Sequence, residues 1–219
     1  MPLPLWLHRE IWMTQKKIPP QIDEIYMALF HQVSHLHAKW EIFCQLYASS
    51  SEVVDLLNSS AAGFFRVCQD VLAYDVFLTI SRLTDPKQTR LGKNVRDNLS
   101  LERLVSSIDS VKFPKLSGEI KQLLAKSKNK CGFVKELRNK LIAHNDLPTN
   151  LQAKVNPLPM PTKQNIEDAL ESIRNVMNAV PSYFENSTVA YQLASMPSGG
   201  NTLITRLRHA KMYREQLRG

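Results

Sequence analysis
Beginning at Ile22, apolar side chains recur at Tyr26, Leu29, Val33, Leu36, Trp40, Phe43 and Tyr47, with separations alternating between four and three. That period marks one long α-helix with a continuous apolar seam. Pro19 and Pro20 stand where such a helix begins, because proline's fixed φ suits a first turn and its missing N–H is not needed there. A seam of this length needs other helices to cover it. The rest of the chain must supply them.

Several further segments have the right pattern. A second helix is predicted from about Glu52 to Leu83, with Val54, Leu57, Ala61, Phe64, Cys68, Val71, Ala73, Val76, Ile80 and Leu83 on a broad face. Thr84-Asp85-Pro86 ends it, since a residue before proline is pushed out of helical geometry. Residues 86–98 read as a polar loop, and Ser100 caps a short accessory helix with Glu102 in its first turn. Another helical stretch runs from about Lys115 to His144 through Leu116, Ile120, Leu123, Cys131, Val134, Leu137 and Leu141, with Gly132 as its weak point. Pro148, Pro157, Pro159 and Pro161 predict an extended connection. Thr162 then caps a helix with a stripe at Ile166, Ala169, Leu170, Ile173, Val176, Met177 and Val180, which weakens after Pro181.

No stretch alternates apolar and polar residues long enough to predict a half-buried strand. The expected class is all-α: an antiparallel bundle of four principal helices, a short accessory helix and a C-terminal helical tail. Its expected organisation is an N-terminal arm at 1–19, the bundle at 20–185, and a flexible linker with a basic helix at 186–219. The linker reading rests on Ser195-Met196-Pro197-Ser198-Gly199-Gly200. The first thirteen residues are apolar but interrupted by prolines and by His8-Arg9-Glu10. They read as a packing arm, not as a signal peptide or membrane span. Cys44, Cys68 and Cys131 form no CxxC pair, so buried reduced thiols in a cytoplasmic protein are expected.

The net charge of +8 is unevenly distributed. Residues 112–140 hold nine basic and two acidic side chains, and residues 201–219 hold five and one. The remainder of the chain is slightly acidic. Positive charge confined to two segments can draw phosphates to a defined place, although a solvated lysine-rich face has the same composition. The tail cations Arg206, Arg208, Lys211, Arg214 and Arg218 allow the same two readings.

Chemistry concentrates at the end of the lysine-rich stretch, Arg138-Asn139-Lys140-Leu141-Ile142-Ala143-His144-Asn145-Asp146. Histidine is the side chain suited to proton transfer near neutral pH. Arginine supplies a fixed cation and a fork of donors for phosphate oxygens. On a regular α-helix, positions six apart lie about 120° around the axis and about 9 Å along it. Arg138 and His144 of one chain then share no face, and two copies around one cleft would bring both together. Arg138 and Asn145 are nearly eclipsed, and His144 sits where a helix C-terminus favours its protonated form. Equally, Arg138 can pair with a carboxylate and His144-Asn145 can cap a helix.

His31, His35 and His37 approach a metal-ligand spacing, but no Glu-x-x-His pair accompanies them. Surface histidines are expected, with no metal and no cofactor. Asp75, Arg82 and Asp85 near the end of the second helix fit either a salt bridge and turn cap or support for the cleft. No glycine-rich phosphate loop or nucleophile elbow is present.

The Arg138–His144 segment resembles the signature of the HEPN superfamily (higher eukaryotes and prokaryotes nucleotide-binding), an arginine and a histidine with four to six residues between them. Gly63-Phe64-Phe65, the run from Asp75 through Arg82 to Asp85, and the run from Asn98 to Leu104 resemble its abortive-infection AbiU-type branch in the same order. The resemblance covers about residues 20–185. It implies a dimerising helical bundle that, in active members, cuts RNA without a metal. Arg138 and His144 would be the catalytic pair, with Asn139 as the polar residue after the arginine. Lys135, Lys140 and Asn145 would contact RNA, and Asp75, Arg82 and Asp85 would support the site. The implied function is an endoribonuclease in phage defence or a toxin-like effector, with RNA, a second copy and a cognate antitoxin or regulatory protein as partners and no membrane. The alternative is a non-catalytic RNA- or protein-binding dimerisation module.

Overall fold
The computed structural model of the chain describes residues 17–139 and 160–217. Among them the elements are α1 (Pro20–Tyr47), α2 (Ser51–Leu83), β1 (Gln88–Leu91), β2 (Asn94–Asp97), α3 (Leu101–Ser107), α4 (Pro114–Lys130), α5 (Gly132–Leu137), α6 (Lys163–Glu185), a 3₁₀ turn at Tyr191–Leu193 and α7 (Gly200–Gln216). The class is all-α, with a single hairpin of two four-residue strands among the described residues. The described residues divide into two compact units, one comprising 17–31, 82–133 and 160–190, the other 32–81, 134–139 and 191–217.

In the first unit α4 packs on α6. Leu116, Ile120 and Leu124 recur every fourth residue on α4, and the predicted stripe of α6 is buried throughout, from Ile166 to Val180 and on to Phe184. A capping box starts α6: Asn165 N–H donates to Thr162 Oγ1 at 3.2 Å, and Thr162 N–H donates to Asn165 Oδ1 at 3.0 Å. Instead of fading after Pro181, α6 runs on to Glu185 and closes at Asn186, whose φ of 49° is left-handed and whose N–H bonds the Pro181 carbonyl. Ser100 caps α3 as its sequence predicts, accepting from Arg103 N–H.

The polar segment 86–98 is not a loop but an antiparallel hairpin in which Thr89 pairs with Arg96 and Arg90 with Val95. Gly92, with φ of 61°, takes the first central position of its two-residue turn, a place that demands positive φ. All four β2 residues are exposed. A strand with no buried face shows no apolar alternation, which is why the sequence pattern conceals it.

In the second unit Leu46, Val53, Leu56, Leu57, Phe65 and Ile204 form a core joining α1, α2 and α7. Here α2 is kinked at Ala61, where φ and ψ are −163° and 72°. Tyr47 Oη donates to the Phe65 carbonyl at 2.9 Å. Three expectations change. His37 is buried and stacks on Tyr191 with ring centroids 6.2 Å apart, while His31 and His35 are on the surface as expected. Phe64 and Val71, placed by their spacing on the broad packed face of α2, are exposed because the core lies on the opposite side of the helix past the kink. The three cysteines form no disulfide, but only Cys131 is fully buried.

The stretch Ser195–Gly200, read as a flexible linker, contains a close packing contact. A Cβ on Gly200 would lie 2.9 Å from Gln45 Oε1 and 3.2 Å from Leu46 Cγ. Gln45 Oε1 in turn accepts the Asn201 N–H at 3.2 Å, so α1 caps the first turn of α7 from outside.

Candidate functional site
The helix predicted from 115 to 144 is interrupted. After Lys130 the backbone leaves α geometry at Cys131, with φ of −93° and ψ of 1°, and Gly132 opens a new short helix. Cys131 is fully buried, its sulfur 4.0 Å from the Ala169 carbonyl and 3.9 Å from the hydroxyls of Ser127 and Ser172. Glycine's low helix propensity at the next position makes this the place for the chain to turn.

Val134 and Leu137 anchor α5 by burial. Immediately beyond, Arg138 and Asn139 adopt π-helical backbone. Such local widening is rare and recurs at functional positions. Arg138 is half-buried and its Nε donates to Asn139 Oδ1 at 3.4 Å, while Asn139 is exposed and Lys135 half-buried. The site residues Lys140, His144 and Asn145 lie outside the described residues.

Asp75 belongs to the second unit, as Lys135, Arg138 and Asn139 do, and it is engaged: Lys39 Nζ reaches its Oδ2 at 2.6 Å, with both side chains 35% exposed. Lys39 was not singled out from the sequence. Its signal was a lone cation beside the apolar seam, between Ala38 and Trp40. Arg82 and Asp85 belong to the first unit. Arg82 is exposed in the last turn of α2, and its carbonyl accepts the Asp85 N–H at 3.3 Å.

The positive excess of residues 112–140 is smaller in effect than the sequence count. Lys128 forms an ion pair with Glu102, and Lys130 pairs with Asp168 at 2.7 Å. The Lys128 hydrogen bond holds the Glu102 carboxyl below its ordinary range, and Lys130, then Gln164, does the same for Asp168. Lys112, Lys115, Lys121 and Lys126 are exposed. In the tail, Leu203, Ile204 and Leu207 hold α7 against the second-unit core, while Arg206, Arg208, Lys211 and Arg214 are exposed.

Among the described residues, no cluster of three or more His, Cys, Asp or Glu side chains is arranged to hold a metal ion, and no helix is long and apolar enough to cross a membrane. What the described part of the site presents is a fixed guanidinium, an adjacent exposed carboxamide and a lysine one turn earlier. That set can bind a phosphate and needs a proton-transferring partner to do more.

No curated protein and no solved structure matches the chain. The HEPN AbiU2 family model, described as AbiU2, matches residues 20–203, an interval that contains α1 through α6, the arginine and histidine of the signature, and the first turn of α7. The chain therefore belongs to the AbiU2 family within the HEPN superfamily.

Proposed function
We propose that the protein is a metal-independent endoribonuclease that acts as a homodimer, in phage defence by abortive infection or as a toxin-like effector. The observation that carries this reading is the family match spanning the Arg138–His144 signature. The π-helical turn that presents Arg138 beside Asn139 supports it.

The chemistry follows from the residues. Arg138 holds the scissile phosphate and balances the charge that builds on its non-bridging oxygens. The 2′-hydroxyl gives its proton to solvent water as its oxygen attacks phosphorus, the P–O2′ bond forms and the P–O5′ bond breaks. His144 delivers a proton to the departing 5′-oxygen. Asn139 and Asn145 orient the phosphate, and Lys135 and Lys140 attract the RNA backbone. Asp75 supports the site through Lys39. Arg82 and Asp85 brace the end of α2. The products are a 2′,3′-cyclic phosphate and a 5′-hydroxyl.

The end chemistry is the test. Fragments made by the purified protein should have 3′ ends that resist ligation until the cyclic phosphate is removed enzymatically. Fragments with free 3′-hydroxyls would point to attack by water and overturn the proposed roles.

A further inference from the structure
Past its kink, α2 is apolar on two opposite sides. One side, with Phe65, Val76 and Ile80, is buried in the chain's own core. The other carries Phe64, Val67, Val71 and Tyr74, which are 63%, 62%, 59% and 42% exposed. A helix that is apolar on both sides calls for a partner on each. Together the four side chains leave a patch of roughly 300–400 Å², within the range of the largest apolar patch on a typical monomer, a patch that often has a function.

The pattern of that patch identifies the partner. The separations run three, four, three, with an aromatic ring at each end and valines between. Read from either end, the order is ring, valine, valine, ring. A surface that meets its own copy across a two-fold axis must be self-complementary, and this seam is. If two copies of α2 cross antiparallel about the level of Gln69, Phe64 meets the partner's Tyr74 and Val67 meets the partner's Val71. The three-four spacing is also that of helices packed along a shared seam. An unrelated partner would not require the palindrome.

We infer that Phe64, Val67, Val71 and Tyr74 form the centre of an isologous interface in which a second copy of this chain packs its α2 antiparallel to the first. All four residues lie within the second unit, and the inference holds whether or not the protein cuts RNA. It specifies the face and the register through which the dimer of the proposed function would form.

Sedimentation of the full chain tests it. Wild type should be a dimer at micromolar concentration. Val67→Lys and Val71→Glu should each weaken dimerisation by roughly 100-fold, the effect of truncating or charging an interface centre. Both positions are more than half exposed in the single chain, so each variant should keep the wild-type helical circular dichroism spectrum even where loss of the dimer lowers its melting temperature. Mixing the two variants should restore dimers, because only the antiparallel register sets the lysine introduced in one chain against the glutamate introduced in the other. A monomeric wild type overturns the inference. So does a dimer indifferent to both substitutions, and so does a mixture that stays monomeric. RNA cleavage by a protein that fails these tests would leave the enzyme reading intact and the interface wrong.

Discussion
Two glycine-to-alanine substitutions should move stability in opposite directions. Gly118 lies inside α4, exposed, with nothing within 4 Å of where a Cβ would sit. Alanine there removes backbone freedom from the unfolded chain and should stabilise by about 0.5–1 kcal/mol. Gly200 is the first residue of α7, and its Cβ would lie 2.9 Å from Gln45 Oε1, 3.0 Å from Gln45 Cβ and 3.2 Å from Leu46 Cγ. The Gln45 amide can swing away, but its Cβ and the Leu46 branch cannot move without displacing α1. Swinging the amide also breaks the bond from Asn201 N–H, a loss of about 1 kcal/mol. Overpacking of this kind costs about 1–3 kcal/mol, partly offset by alanine's propensity. The net expectation for Gly200→Ala is a loss of about 2 kcal/mol, or roughly 4–8 °C in melting temperature for a chain of this size. Thermal unfolding followed by circular dichroism reads both variants. Trypsin should also cut Gly200→Ala sooner at Arg206 and Arg208, because α7 is loosened. Adding Gln45→Ala should cost less in the Gly200→Ala background than alone, since the two share one contact. A Gly200→Ala protein that melts at or above wild type would refute the argument that this glycine is there for close approach.

Burial and the neighbouring Cys68 push the Tyr47 hydroxyl up to about 12. A folded value above the unfolded one means its contribution is complete below the unfolded value and lost as pH rises through the folded one. An ultraviolet phenolate titration should therefore show a late fraction that Tyr47→Phe lacks, and superimposable curves would contradict this. Glu102 is shifted the other way by Lys128, so the contribution of that pair is present above the unfolded carboxylate value and fades as pH falls through the folded one. Glu102→Gln should cost about 0.2–1 kcal/mol at neutral pH and flatten the acid limb of the stability curve, with an unchanged limb counting against the pairing. At Asn186, alanine should lower stability by about 1 kcal/mol while glycine is tolerated, because the residue is left-handed. Equal melting of the two variants would show that the left-handed cap is not what asparagine supplies.

The sequence made the helices legible wherever one face was uniformly apolar. The seam from Ile22 to Tyr47 and the stripe from Ile166 to Val180 needed no other information, and the caps at Ser100 and Thr162 marked where two helices start. What stayed hidden lacked a periodic cost. The exposed hairpin at 88–97 buries nothing, so no pattern selects it. Phe64 and Val71 match helical period as well as core residues do, and only the kink at Ala61 decides which side faces inward. Gly200 is indistinguishable from a linker glycine until Gln45 is beside it. At the candidate site, the residue types and the family were readable from the Arg138–His144 wording. Gly132 marked the weak point of its helix, but the break at Cys131 and the π-helical backbone of Arg138 and Asn139 leave no mark in the apolar period.

The central claim is most directly tested by incubating a mixed RNA pool with the purified protein in EDTA, beside Arg138→Ala and His144→Ala variants that retain wild-type melting. Cleavage by wild type should be undiminished by the chelator and abolished in both variants. Wild-type protein that binds RNA without cutting it, or variants that cut as well as wild type, would contradict the claim.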